Sequence, residues 1–177
     1  MSSGGVQPSG LPEIIGSQPD RSLPLNKRVK PGNPGAGSPV LVSANYKMSF
    51  DCLREALSGR SAWILVLDTR GINVWCAAGK GTFGTDELVC RIEATGLSKV
   101  VSHRILILPQ LGAPGVAAHE VKKRGHFKVE YGPVRAEDLS EYLKTHKATP
   151  EMRRVRFTLR DRLAVIPVEI TGGLPVL

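Results

Sequence analysis

Trp63-Ile64-Leu65-Val66-Leu67 is an unbroken run of five apolar residues closed by Asp68, and it decides how the rest of the chain is read. A strand with one face in water alternates apolar and polar residues, whereas a strand covered on both faces is apolar throughout. Ile105-Leu106-Ile107-Leu108 has the same character. Val40-Leu41-Val42 precedes the pair, and Phe127-Lys128-Val129-Glu130-Tyr131 follows it. Between these runs lie amphipathic stretches that predict helices near 49–57, 86–95, 115–124 and 136–145. Ser49 is a candidate cap for the first helix and Thr85 for the second, whose first turn carries Asp86 and Glu87. Doubly covered strands alternating with helices predict an α/β fold with a mostly parallel sheet and helices on both faces.

Open sheets of this kind bind ligands beyond the carboxyl ends of their strands. The loops 43–47, 68–80, 109–114 and Gly132-Pro133 are therefore expected to converge on one edge. The second loop carries Asn73-Val74-Trp75-Cys76-Ala77-Ala78-Gly79-Lys80, followed at once by Gly81-Thr82-Phe83-Gly84-Thr85. It places one thiol beside small residues at a strand-to-helix junction, over the sheet edge like a lid. Each missing side chain lowers the steric floor, so the segment suits the close approach of something large and flat. A thiolate binds soft metals. A buried structural thiol is the competing reading of Cys76, since free cysteine is among the most buried residue types.

Other chemistries fit less well. Gly79-Lys80-Gly81-Thr82 departs from a phosphate loop, because Val74 stands where the first glycine belongs and Gly81 where the hydroxyl residue belongs. A glycine-rich turn before a helix can still hold the tail phosphate of a larger cofactor. His119-Glu120 lacks a second histidine four residues on, and no Asp-x-His-x-x-Gly occurs, so His103, His119, His126 and His146 read as surface or packing residues. Asp68 reads as a loop orienter, and no pair of carboxylates forms an acid-base couple.

The 177 residues suit one domain with tails, and 41% hydrophobic content is enough for a core. The net charge of +8 is not accompanied by aromatics interleaved with Lys and Arg, which argues against a nucleic-acid partner. Cys52, Cys76 and Cys90 are odd in number and form no CxxC, which disfavours zinc ribbons and self-contained iron-sulfur sites. Free thiols without a secretory signal suggest a reducing, cytoplasmic setting. Residues 1–38, rich in Gly, Pro and Ser, read as a flexible leader. Arg153, Arg154, Arg156, Arg160 and Arg162 precede an apolar stretch near the C-terminus; this suits either the cytoplasmic flank of a membrane span or a final hairpin with an arginine face.

At residues 73–80 the chain resembles the mercury-methylating corrinoid proteins, the HgcA family, whose cap-helix motif it meets at every position. The similarity extends over roughly 39–170 and includes Val42-Ser43-Ala44-Asn45-Tyr46-Lys47 and Leu108-Pro109-Gln110-Leu111-Gly112-Ala113-Pro114-Gly115-Val116. It is similar also to the large subunit of the corrinoid iron-sulfur protein, the methyl carrier of acetyl-CoA synthesis. The resemblance implies a Rossmann-like, corrinoid-binding domain over 39–170, with a cap helix carrying the cysteine. It implies a cobalamin-type corrinoid held base-off, with Cys76 as the lower cobalt ligand and the residue directing catalysis. A thiolate is a strong donor along the axis through the metal, and is expected to help a methyl group leave toward Hg(II) with its bonding electrons, giving methylmercury.

On this resemblance Asn73, Val74, Trp75, Ala77, Ala78, Gly79 and Lys80 shape the cap. Asn45, Gly81, Thr82, Gln110, Leu111, Gly112, Ala113, Pro114, Val116 and Gly132 are expected to line the corrin face and the displaced lower tail. The implied partners are a ferredoxin-like reductase with [4Fe-4S] clusters and a methyl-folate-linked methyl donor. Residues 171–177 would start a linker to a transmembrane domain, placing the full-length protein on the cytoplasmic side of the inner membrane. The alternative implied by the second similarity is a methyl carrier of one-carbon metabolism.

Overall fold

The computed structural model describes Ile14–Gly16 and residues 32–155. The remainder of the segment read as leader, and the tail with Arg156, Arg160 and Arg162, lie outside the described residues. Five strands form one sheet: β1 (Ile14–Gly16), β2 (Val40–Ala44), β3 (Trp63–Leu67), β4 (Ile105–Leu108) and β5 (Lys128–Tyr131), in the order β1-β3-β2-β4-β5. The last four are mutually parallel, and β1 pairs antiparallel with β3 at the edge. Three residues of the stretch read as leader thus belong to the sheet.

The unbroken apolar runs resolve into two faces, because successive strand side chains point to opposite sides. Val40, Val42 and Ala44 of β2, Leu65 and Leu67 of β3, and Leu106 and Leu108 of β4 enter one core cluster. It is closed by α2 (Val74–Lys80), α3 (Thr85–Ala94), α4 (Leu97–Val100) and α5 (Ala118–Gly125). Leu41, Ile64 and Ile107 point the other way, under α1 (Lys47–Ala56) and α6 (Leu139–Thr145). Burial on both faces is what the apolar runs predict, and the fold is α/β and Rossmann-like.

The connections fix where a ligand belongs. The chain goes from β2 to β3 through α1 on one face. It returns from β3 past β2 to β4 through α2, α3 and α4 on the other. The winding therefore reverses between β2 and β4, and the crevice beyond their carboxyl ends is the topological switch point.

The helix starts differ from the sequence expectations. α1 begins at Lys47 with Tyr46 at the N-cap position, so Ser49 does not cap it. A Lys47–Asp51 ion pair spans its first turns instead. Gly84, rather than Thr85, precedes α3, where a Cβ would lie 2.8 Å from the Gly81 carbonyl oxygen. The Thr85 hydroxyl is drawn into a tertiary contact and accepts from the Ala117 N–H at 2.9 Å. Residues Gln110–Gly115 form a 3-10 helix, so the helix expected from 115 starts at Ala118, and a short 3-10 turn (Ala136–Asp138) leads into α6.

Candidate functional site

The cap is built on α2, seven residues long and held at both ends. Its N-cap Asn73 is extended, and Asn73 Oδ1 accepts from the Cys76 N–H at 2.9 Å. At the other end Gly81 adopts φ 79°, a left-handed conformation that favours glycine, and turns the chain back beneath the helix. The Phe83 N–H then reaches the Ala77 carbonyl at 3.1 Å, and the Phe83 ring is fully buried.

The small residues of the motif divide into two jobs. Val74, Ala77 and Ala78 are buried and face the core. Ala77 and Ala78 are therefore not an open floor for a flat ligand. Their smallness lets the 3-10 helix pack against α2, where a Cβ on Gly115 would lie 2.1 Å from the Phe83 carbonyl oxygen and 3.0 Å from Ala78 Cα. A Cβ on Gly112 would likewise meet the Phe83 ring at 2.5 Å. The outer face of α2 carries Trp75, Cys76, Gly79 and Lys80, all exposed. The free Cys76 thiol is exposed, so the buried structural reading fails. Gly79 lies three residues on, beside Cys76 on the same helix face, and a Cβ there would meet no protein atom within 4 Å. No contact among the described residues requires Gly79 to be bare.

A polar network holds the loop that leads into the cap. Asn45 Oδ1, at the end of β2, accepts from the N–H groups of Thr69 (3.0 Å) and Gly71 (3.1 Å). Asn45 Nδ2 donates to Asp68 Oδ1 at 3.0 Å. The fully buried Thr69 donates its hydroxyl to the Ile72 carbonyl at 2.6 Å, and the same oxygen lies 2.8 Å from Asn45 Oδ1. Asp68 accepts from the Arg70 N–H at 3.0 Å, and chiefly this bond holds its carboxyl below the ordinary value, aided by the Asn45 amide and opposed by burial. The Asp68 N–H donates to Glu87 Oε1, which also takes a hydrogen bond from Arg91. Asp68 is thus a loop orienter, and the Asn45 amide oxygen is committed to the protein rather than open to a ligand.

A cleft of about 780 Å³ opens at the switch point. All four loops expected at this edge contribute to it. Ser43 lies near the end of β2 and Tyr46 follows it, Asn73, Val74 and Trp75 come from the cap, Pro109 and Leu111 follow β4, and Gly132 and Pro133 follow β5. Its floor and walls are mostly apolar, with Leu41, Ile107 and Leu108 from the strands. Trp75, 68% exposed, stands at the rim.

Of the residues expected to bind cofactor, Asn73, Val74, Trp75, Leu111 and Gly132 line the cleft. Cys76, Gly79, Lys80 and Gly81 lie on the exposed side of the cap beside it. Thr82, Gly112 and Val116 are packing residues: the Thr82 hydroxyl reaches the Ala77 carbonyl at 3.4 Å, and Gly112 and Val116 are buried. Ala113 and Pro114 sit on the outer turn of the 3-10 helix. Gln110 Oε1 is buried without a hydrogen-bond partner. Met48 and Cys52 also line the cleft from α1 and were missed by reading loops alone. Their spacing of four, which puts both on one helix face, was the available signal.

Among the described residues, no group of three or more His, Cys, Asp or Glu side chains could hold a metal ion. No helix among them is long and apolar enough to cross a membrane.

The chain is similar to acetyl-CoA decarbonylase/synthase complex subunit gamma of Methanopyrus kandleri, with 30% identity over 64% of this chain and 24% of the relative. Subunit gamma 2 of the same complex from Methanosarcina thermophila is 33% identical over 58% of this chain and 23% of its own length. Subunit gamma of Methanocaldococcus jannaschii is 36% identical over 46% and 17%. The chain thus spans about a quarter or less of the length of these relatives. Residues 12–142 match the family described as CO dehydrogenase/acetyl-CoA synthase delta subunit, and the chain belongs to that family.

Proposed function

We propose that this domain binds a corrinoid base-off against the cap helix, with the Cys76 thiolate as lower cobalt ligand, and that it passes a methyl group to Hg(II). The observation that carries the reading is the outer face of α2. An exposed thiol sits beside Gly79, a position that no contact among the described residues requires to be bare, with Trp75 at the rim of the switch-point cleft. This donor set fits a corrin and not a bare ion. The described residues offer no cluster of ligands, so a metal taken by Cys76 must bring its other ligands with it, as a ring-bound cobalt does.

When bound, the corrinoid supplies cobalt-centred methyl-group chemistry. The chain's own residues do the rest. Asn73 fixes the Cys76 backbone, and the exposed sulfur offers a soft donor along one axis. Gly79 leaves room for a ring plane, and Lys80 on the same face can meet ring amides or the tail phosphate. The apolar cleft suits the displaced lower tail and keeps water from it.

The acceptor is the finer part of this reading. Hg(II) rests on the motif at 73–80, a soft electrophile suiting a thiolate-activated methyl. The relatives, named as subunits of an acetyl-CoA decarbonylase/synthase complex, favour the second reading more directly: a methyl carrier that hands its group to another enzyme. In either case a ferredoxin-like reductase and a methyl-folate-linked donor are the proposed partners. A membrane domain beyond residue 170 and a cytoplasmic-face location belong to the first reading alone.

The visible spectrum of the protein loaded with cobalamin tests the ligand. Wild type should give a base-off, sulfur-ligated spectrum that Cys76→Ala loses; identical spectra sink the assignment. The acceptor is tested by supplying Hg(II) to the full-length protein with methylated cofactor and reductant. Absence of methylmercury would favour the carrier.

A further inference from the structure

The loop between β3 and the cap makes a continuous hydrogen-bonded path from the central strand to the thiol-bearing residue. Asn45 closes β2, the strand at the switch point, and its own N–H donates to the Leu67 carbonyl at 3.0 Å, so it is tied to both strand ends. Its side-chain oxygen gathers the Thr69 and Gly71 N–H groups around a turn in which Arg70 (φ 57°) and Gly71 (φ 71°) are both left-handed. Two successive residues in that region form a conformation a non-glycine side chain disfavours, and it persists only when surrounding groups fix it. The Thr69 hydroxyl then holds the carbonyl of Ile72, the residue just before Asn73, at 2.6 Å. Asn73 in turn holds the Cys76 N–H. After the backbone bond from Asn45 to Leu67, every link is a side chain on a backbone group, so the path sets the direction in which α2 leaves the loop.

We infer that Asn45 and Thr69 are positioning residues for Cys76: they do not touch the ligand, but fix where the cap presents its sulfur. This rests on the reading of Cys76 as the corrinoid's sulfur ligand. It reassigns Asn45, which by loop position alone is a candidate contact to the cofactor. Thr69, which no motif singles out within the 68–80 loop, is completely buried.

The first readout needs no cofactor. Hydrogen exchange of the Cys76 amide should speed up about tenfold in Thr69→Val and Asn45→Ala, roughly the factor one hydrogen bond is worth. Thr69→Ser, which keeps the hydroxyl, should stay close to wild type, as should Thr145→Val on α6, remote from the path. Amides in the middle of β2 and β3 should keep their protection. The second readout adds cobalamin, where Thr69→Val should reduce the sulfur-ligated share of the spectrum and Thr69→Ser should restore it. Unchanged Cys76 exchange in the valine and alanine variants overturns the inference. So does a uniform loss of protection through β2 and β3, which would make Asn45 and Thr69 ordinary fold-holding residues. A Cys76→Ala spectrum identical to wild type would instead refute the ligand reading, and the exchange measurement would still decide whether the path directs the cap.

Discussion

Gly79→Ala separates what the fold needs from what a ligand needs. Among the described residues the new methyl group meets no atom within 4 Å beyond its own helix turn and chain neighbours, and position 79 lies inside α2 near its C-terminal end. Alanine exceeds glycine in helix propensity by about 0.8–1.0 kcal/mol in a helix interior. One residue from the end of a seven-residue helix, part of that gain is lost to fraying, so the expected change is about 0 to 1 kcal/mol of added stability. The melting temperature should hold or rise by a few degrees. A corrin plane lying over Cys76 changes the outcome. The methyl group would then stand between ring and helix, and lifting the ring off the thiol should weaken binding about tenfold or more, equivalent to about 1.4 kcal/mol. Thermal melting of the unloaded chain and a cobalamin titration followed by its visible spectrum measure the two effects side by side. A variant that is as stable as wild type and binds cobalamin equally well would refute the argument that a flat ligand occupies this face.

Gly115→Ala should behave in the opposite way. Its Cβ would overlap the Phe83 carbonyl oxygen and crowd Ala78, both backbone atoms, so the 3-10 helix and α2 must move apart. Overpacking of this kind costs about 1–3 kcal/mol, and a melt should register a drop of several degrees even without ligand. The loop network adds a pH dependence. Because the Arg70 N–H holds the Asp68 carboxyl below its ordinary value of 3.8, its stabilising effect is present above that value and disappears as pH falls through the lower folded value. NMR titration of Asp68 should show this depressed midpoint in wild type, moving up toward 3.8 in Asn45→Ala. An unmoved midpoint would remove Asn45 from the interactions that hold the carboxylate.

Several features were legible without coordinates because their causes are local. Doubly buried strands must be apolar on both alternate positions, so Trp63 to Leu67 and Ile105 to Leu108 announced themselves, and the helices between them followed. The cap motif was legible as an oddity of small residues around one thiol. Its internal division was not: Ala77 and Ala78 serve the packing of Phe83 and Gly115, while of these three small residues only Gly79 lies on the outer face. Sequence spacing gives neighbours along a helix, but which side faces the core depends on the 3-10 helix some thirty-five residues away. Thr85 failed as a cap for a similar reason, its hydroxyl being recruited by Ala117 across the chain, whereas Ser49 already lies inside α1, which starts at Lys47.

The sequence by itself determined that there would be a parallel sheet, covered on both sides, with a cysteine-bearing segment at the carboxyl edge. Only the tertiary structure decided that β2 stands between β3 and β4, and this places the winding reversal, and so the cleft, beside the start of the cap helix. Strand order depends on which face each crossover takes, and that choice is made by the combined packing of helices distant in sequence. The same distance hid what Asn45 does, and hid Thr69 altogether. Their partners lie across a loop closed by the sheet, and a hydrogen bond of that kind leaves no period in the sequence to read.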